Sequence, residues 1–182
     1  MAIALSMSLL DTFVGESIED ICPLHFGTKG DVQNHCAHFV GHVLKLNGSV
    51  AHGLTCAGMV SGGNKHTAAG AIIRVNDIYN ICADLTEPNA LGCLAYYTMP
   101  GNIGKDGMMG TMPKKHVGLC CHGFVYNYGN ANDKVRKNKV GDLKALYGPS
   151  TITRYTALPN GATLLTLDQI LALVPKKAEA KK

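Results

Sequence analysis

From Asp31 to Leu46 apolar side chains fall at Val32, Cys36, Phe39, Val40, Val43 and Leu44. This three-and-four spacing becomes one continuous stripe only on an α-helix, and the stripe must be buried against another layer. Asn47-Gly48 supplies the stop. With Asn34 as N-cap, Cys36 falls in the first turn, where unpaired N–H groups and the helix dipole favour a thiolate. With Asp31 as the cap, Cys36 lies one turn deeper and the dipole effect weakens.

The rest of the chain supplies that other layer. Cys93 to Met99 reads as a strand, and so does Thr151 to Leu158. His116 to Cys121 and Phe124 to Tyr128 read as two strands joined tightly around His122-Gly123. Helical spacing recurs over Ile72 to Cys82 and Leu164 to Val174, and Met1 to Leu10 is expected as a helix packed on the body. The glycine-rich stretch from Gly48 to Gly70 reads as loop. Pro100 to Lys115, with four glycines and Met108-Met109, is expected as a mobile wall of a groove. Helices followed by an antiparallel meander give an α+β class, with a sheet of about four to six strands.

With 182 residues, 46% of them hydrophobic and 16% charged, the chain can fill one core and is not disordered. We expect a single catalytic domain over 1–182, its core about 20–175, with a solvated basic tail at 176–182. The net charge is +4 and there is no tryptophan. Without an arginine-rich or aromatic–basic stretch, nucleic acid is not an expected partner. The apolar start is cut by Asp11 and lacks a positive n-region, so neither a membrane span nor a conventional signal peptide is expected. Synthesis in the cytoplasm and delivery to the periplasm or wall by an unconventional route follow from that reading.

One cysteine opening a helix and one histidine opening a strand, Cys36 and His116, is the arrangement a thiol nucleophile and its base require. Such a Cys36 should alkylate well below pH 8. Each residue also has a plainer reading: Cys36 as a buried packing cysteine on its stripe, His116 as a solvent-facing strand end, Asn127 as an edge amide. The seven cysteines show no CxxC spacing, and most read as small buried apolar residues. His38 and His42 stand four apart on the helix, but the glutamate of HExxH is missing between them. No metal and no cofactor are expected. Cys120-Cys121-His122 alternate sides on a strand and cannot converge. Tyr126 and Tyr128 share the face opposite Asn127 and read as packing.

Asn-His-Cys-Ala-His-Phe-Val at 34–40, followed by Lys-His-Val-Gly-Leu at 115–119, resembles the NlpC/P60 and CHAP cysteine hydrolases. These are papain-like enzymes that cut amide bonds in bacterial peptidoglycan. The resemblance covers roughly residues 30 to 130. It implies a papain-like fold, with the nucleophile helix packed on an antiparallel sheet. It also implies Cys36 as nucleophile, His116 as base and Asn127 as the polar residue that orients the imidazole. His35 stands where the family usually has Asp, and Asn127 where many relatives have His.

The implied activity is that of a cysteine amidase or endopeptidase on peptidoglycan peptides, in an antibacterial effector or a lysin. A cognate inhibitor (immunity) protein would be a natural partner. Two rivals stand beside it. One is an intracellular deamidase, transglutaminase-like enzyme or protein-directed cysteine peptidase; the other is a non-catalytic binding module.

Overall fold

Six antiparallel strands make one sheet, in the order β1-β6-β2-β3-β4-β5. They are β1 (Asp84–Leu85), β2 (Cys93–Thr98), β3 (His116–Cys121), β4 (Phe124–Gly129), β5 (Lys134–Lys139) and β6 (Ile152–Thr156). The computed structural model describes residues 4–26, 35–50 and 52–173. Its helices are α1 (Met7–Asp11), α2 (Ile18–Ile21), α3 (Cys36–Val43), α4 (Cys56–Ser61), α5 (Val75–Tyr79), α6 (Val140–Tyr147) and α7 (Leu167–Leu171). The protein is α+β, as its pattern predicts. Among the described residues no helix is long and apolar enough to cross a membrane.

The pleat sorts side chains into two layers. Leu94, Tyr96, Val117, Leu119, Cys121, Tyr126 and Tyr128 face the main core, where Phe39, Val40 and Val43 of α3 pack. Cys93, Ala95, Tyr97, Cys120 and Val125 face the other way, onto Leu143 of α6. Tyr126 and Tyr128 therefore lie opposite Asn127, and Cys120 opposite Cys121, as strand alternation requires. Between β3 and β4 the turn residues His122 and Gly123 have φ of 48° and 78°. Two positive φ values in a two-residue loop match the right-handed twist of a hairpin.

The helical layer is built from short pieces locked by their ends. Ser6 caps α1, and capping boxes start α2 (Ser17 with Asp20) and α7 (Thr166 with Gln169). The end of α3 is tied down by Thr163 N–H on Leu44 O at 3.0 Å and Leu165 N–H on Val43 O at 2.8 Å. Gly41 lets α3 pass close to the chain at Ile72, where a Cβ would stand 2.5 Å from the carbonyl oxygen.

The observed elements differ from the pattern reading at identifiable places. The helix expected over 72–82 is confined to Val75–Tyr79, because Ile72 instead bridges to Thr55. The stretch read as loop after Gly48 contains α4. The Pro100–Lys115 segment, expected as a groove wall, has local anchors, and its Thr111, Met112, Pro113, Lys114 and Lys115 line a cleft. Asn80 brackets Met109 with bonds of 2.7 and 3.1 Å, and Asn102 bonds Thr98 and the Met112 N–H. Asn34 and Asp31, the two candidate caps, lie outside the described residues; α3 begins at Cys36, with His35 in the cap position and no side-chain cap bond.

Candidate functional site

Gly118 explains how β3 and β4 bring His116 and Asn127 together. The pair register runs Leu119 opposite Tyr126 and Cys120 opposite Val125. Continued by one step, it sets Gly118 against Asn127. His116 is then the diagonal neighbour of Asn127 on the same face, a separation long side chains can span. A Cβ on Gly118 would come within 2.9 Å of the Asn127 Cβ and 2.5 Å of Val125 Cγ1. Only glycine leaves that space.

The resulting bond joins His116 Nε2 to Asn127 Oδ1 at 3.0 Å, with both residues buried. Its polarity follows from the other end of the amide. Asn127 Nδ2 donates to Asn138 Oδ1 at 3.0 Å, and to the Val125 and Arg136 carbonyls at 3.3 and 3.4 Å. All three are acceptors, so Oδ1 must be the atom that faces the imidazole. His116 therefore carries its hydrogen on Nε2 and leaves Nδ1 as a bare lone pair. Nδ1 is buried and has no hydrogen-bond partner among the described residues. A buried imidazole nitrogen without a partner costs stability, which makes it a place to look for chemistry.

Cys36 sits at the same end of β3. It is the first residue of α3, fully buried, and its sulfur lies against the backbone N–H of Val117, the residue after His116. Tyr147, from the end of α6, stacks on His116 with ring centroids 4.9 Å apart. The phenol of Tyr147 is pushed up first by burial and then by the nearby Cys36 sulfur. Tyr147 thus stacks on His116 and lies within electrostatic reach of Cys36.

Burial decides the charge state there. It pushes the Cys36 thiol up to about 12, against the opposing pull of the Val117 and Ala37 N–H groups. It holds His116 down at about 4, against the Asn127 bond, which pulls upward. The resting pair is a neutral thiol and a neutral imidazole. The helix N-terminus does not produce the ready thiolate expected from sequence, because desolvation outweighs the dipole when no solvent reaches the sulfur.

Beside His116 lies a cleft of about 350 Å³, lined by Asn127, Asn130, Arg136, Asn138, Leu146 and Tyr147 among others. Arg136 donates to Asn132 Oδ1 at 3.0 Å, and its exposed guanidinium edges this cleft.

A second group of reactive side chains, which sequence reasoning leaves apart, meets on another side of α3. Cys22, at the end of α2, and Cys56, the first residue of α4, join His38 and His42, with all four ligand atoms within 4.8 Å of one another. The i, i+4 histidine pair was the available signal. The two cysteines, 16 residues before His38 and 14 after His42, have no motif spacing to announce them. None of the seven cysteines is in a disulfide.

No family model, no curated protein and no solved structure matches this chain, and nothing in those comparisons identifies an NlpC/P60 or CHAP relationship.

Proposed function

We propose that this protein is a cysteine amidase or endopeptidase of papain-like design, with Cys36 as nucleophile, His116 as base and Asn127 as the group that orients it. The observation that carries the reading is the locked Asn127 amide. It fixes the His116 tautomer and leaves a bare, buried Nδ1 at the end of β3 where Cys36 sits.

The chemistry follows from these positions. His116 Nδ1 removes the Cys36 Sγ proton as sulfur attacks an amide carbonyl carbon, forming the C–S bond. The neutral resting pair makes His116 a general base, not half of a preformed ion pair. The tetrahedral oxyanion is met by the Cys36 backbone N–H at the start of α3. The C–N bond then breaks, and the amine leaves with the proton from imidazolium Nδ1–H. Water, deprotonated by His116, hydrolyses the thioester and restores the thiol. Throughout, Asn127 Oδ1 holds Nε2–H and keeps the ring in one orientation.

Peptidoglycan peptide is the proposed substrate, on the strength of the motif resemblance at 34–40 and 115–119. The cleft supports a peptide with free carboxylates, since Arg136 and the amides of Asn130 and Asn138 line it. Purified sacculi are incubated with wild type and Cys36→Ala, and released muropeptides are identified by mass. New fragments with wild type alone are expected; identical patterns from both would remove the proposal.

A second reading, a binding module that keeps the cleft without the chemistry, draws on the complete burial of Cys36. An active-site thiol should be acylated by an amide-derived electrophilic probe in a His116-dependent manner. Labelling equal in wild type and His116→Ala favours the binding module.

A further inference from the structure

The geometry points to a closed tetrahedral zinc site formed by Cys22, His38, His42 and Cys56. Two thiolates and two imidazoles are the donor set that selects zinc in structural sites. With Zn–S near 2.3 Å and Zn–N near 2.0–2.1 Å, the edges of such a tetrahedron measure about 3.3–3.8 Å. Here His38 Nε2 and His42 Nε2 stand 3.0 Å apart, and no two of the four ligand atoms are more than 4.8 Å apart. A cation at the centre needs only small side-chain adjustments to meet all four.

The surroundings are those of ligands held from behind. His38 Nδ1 lies 3.4 Å from His35 Nδ1, so a hydrogen on the His38 nitrogen leaves Nε2 bare and pointing at the cluster. Ala71 N–H donates to Cys56 Sγ at 3.2 Å, a bond suited to a thiolate. That approach depends on Gly70, whose φ is +78° and where a Cβ would stand 2.8 Å from the sulfur. Cys22, His38 and Cys56 are buried and His42 is partly so. A cleft of about 260 Å³ lined by Gly41, His42, Gly70 and Ala71 gives an ion a way in from solvent.

Four protein ligands leave no open coordination position, so the ion is structural. It links the end of α2, the length of α3 and the start of α4. Helices of four, eight and six residues are too short to persist alone. A shared ion fixes them together and so fixes the helix that carries Cys36. This assignment stands on convergence of the four side chains and does not depend on the hydrolase reading.

The test uses the full chain, expressed with zinc and purified under reducing conditions. Elemental analysis should find about one zinc per chain, and the Cys22→Ala, Cys56→Ala double variant should carry under about a tenth of that. Cobalt exchanged into wild type should give tetrahedral visible bands and a thiolate-to-cobalt charge-transfer band. That spectrum decides the matter if the double variant fails to fold. Cys36→Ala should keep the full zinc content, which separates this site from the proposed nucleophile. Wild type without zinc or thiolate–cobalt bands after refolding with excess metal would overturn the assignment. So would a Cys22–Cys56 disulfide seen as a mass two hydrogens lighter, or undiminished zinc in the folded double variant.

Discussion

Along α3, Cys36 meets the first residues of β3, whereas His38 and His42 meet the end of α2 and the start of α4. Both sides put cysteine and histidine together in a dry interior, and they dispose of the resulting polarity in different ways. On the α2–α4 side, four donors converge on one point, and a single cation would satisfy all of them. On the sheet side the groups are spread over a helix and two strands. Hydrogen bonds satisfy Asn127 completely and His116 on one nitrogen only. A set of donors that closes on itself is suited to holding structure; a set with one bare atom is suited to moving a proton.

The largest effects should separate the two sides. Cys36→Ala should lower sacculus digestion by about 10⁴-fold or more, the scale seen when a nucleophile is removed. Its zinc content and unfolding midpoint should stay near wild type. If digestion persists, the sheet side is packing and the contrast collapses.

The next effect concerns acid stability. Burial holds His116 at about 4 against an ordinary value of 6.5. Between those values the unfolded chain binds a proton that the native state refuses, so stability falls as the pH drops through that window. The loss approaches about 3 kcal/mol at 1.36 kcal/mol per unit. Ligand protonation on the metal side also weakens the fold in acid, so the informative quantity is a difference. From pH 6.5 to 4, wild type should lose about 3 kcal/mol more than His116→Gln in urea unfolding. Parallel losses would mean that His116 is not held neutral by its surroundings.

A smaller change should follow from Asn127→Ala. One hydrogen bond to the imidazole is removed, for about a tenfold fall in turnover. Asn127→Gln, which keeps both the amide acceptor and the amide donor, should recover part of it. Unchanged turnover in a folded Asn127→Ala would show that the residue does not serve the imidazole.

How much of this is legible in sequence depends on whether a residue's partners are announced by period. The α3 stripe, the β3–β4 hairpin and strands β2 and β6 follow from spacing, because each buries a regular face. Strand β5 does not: its residues are Lys-Val-Arg-Lys-Asn-Lys, only Val135 is buried, and an edge strand needs no apolar alternation. Helix α6 buries only Leu143, so it too gives no stripe. The order of Cys36, His116 and Asn127 was readable because each heads or rides on a regular element. The charge state of Cys36 was not, since burial is a property of the whole fold. Cys22 and Cys56 were unreadable for a related reason. They sit at the ends of helices four and six residues long, and only tertiary packing brings them to His38 and His42.

The smallest expected effect tests how the sheet side opens. Cys36 and His116 are sealed from solvent, while Tyr147, stacked on His116 and also on Tyr97 at 5.9 Å, is 36% exposed. A partly exposed aromatic ring at the end of α6, beside Gly148, therefore stands against His116 and near Cys36. Swinging it away breaks aromatic stacking worth about 1 kcal/mol, so Tyr147→Ala should speed alkylation of Cys36 by about fivefold. Labelling of Cys22 and Cys56, on the other side of α3, should not change, and peptide mapping of the modified cysteines reads both at once. Faster labelling of all three would mean the substitution loosens the whole helical layer. Unchanged labelling of Cys36 in a folded variant would show that substrate must reach the thiol by some path other than the α6 side.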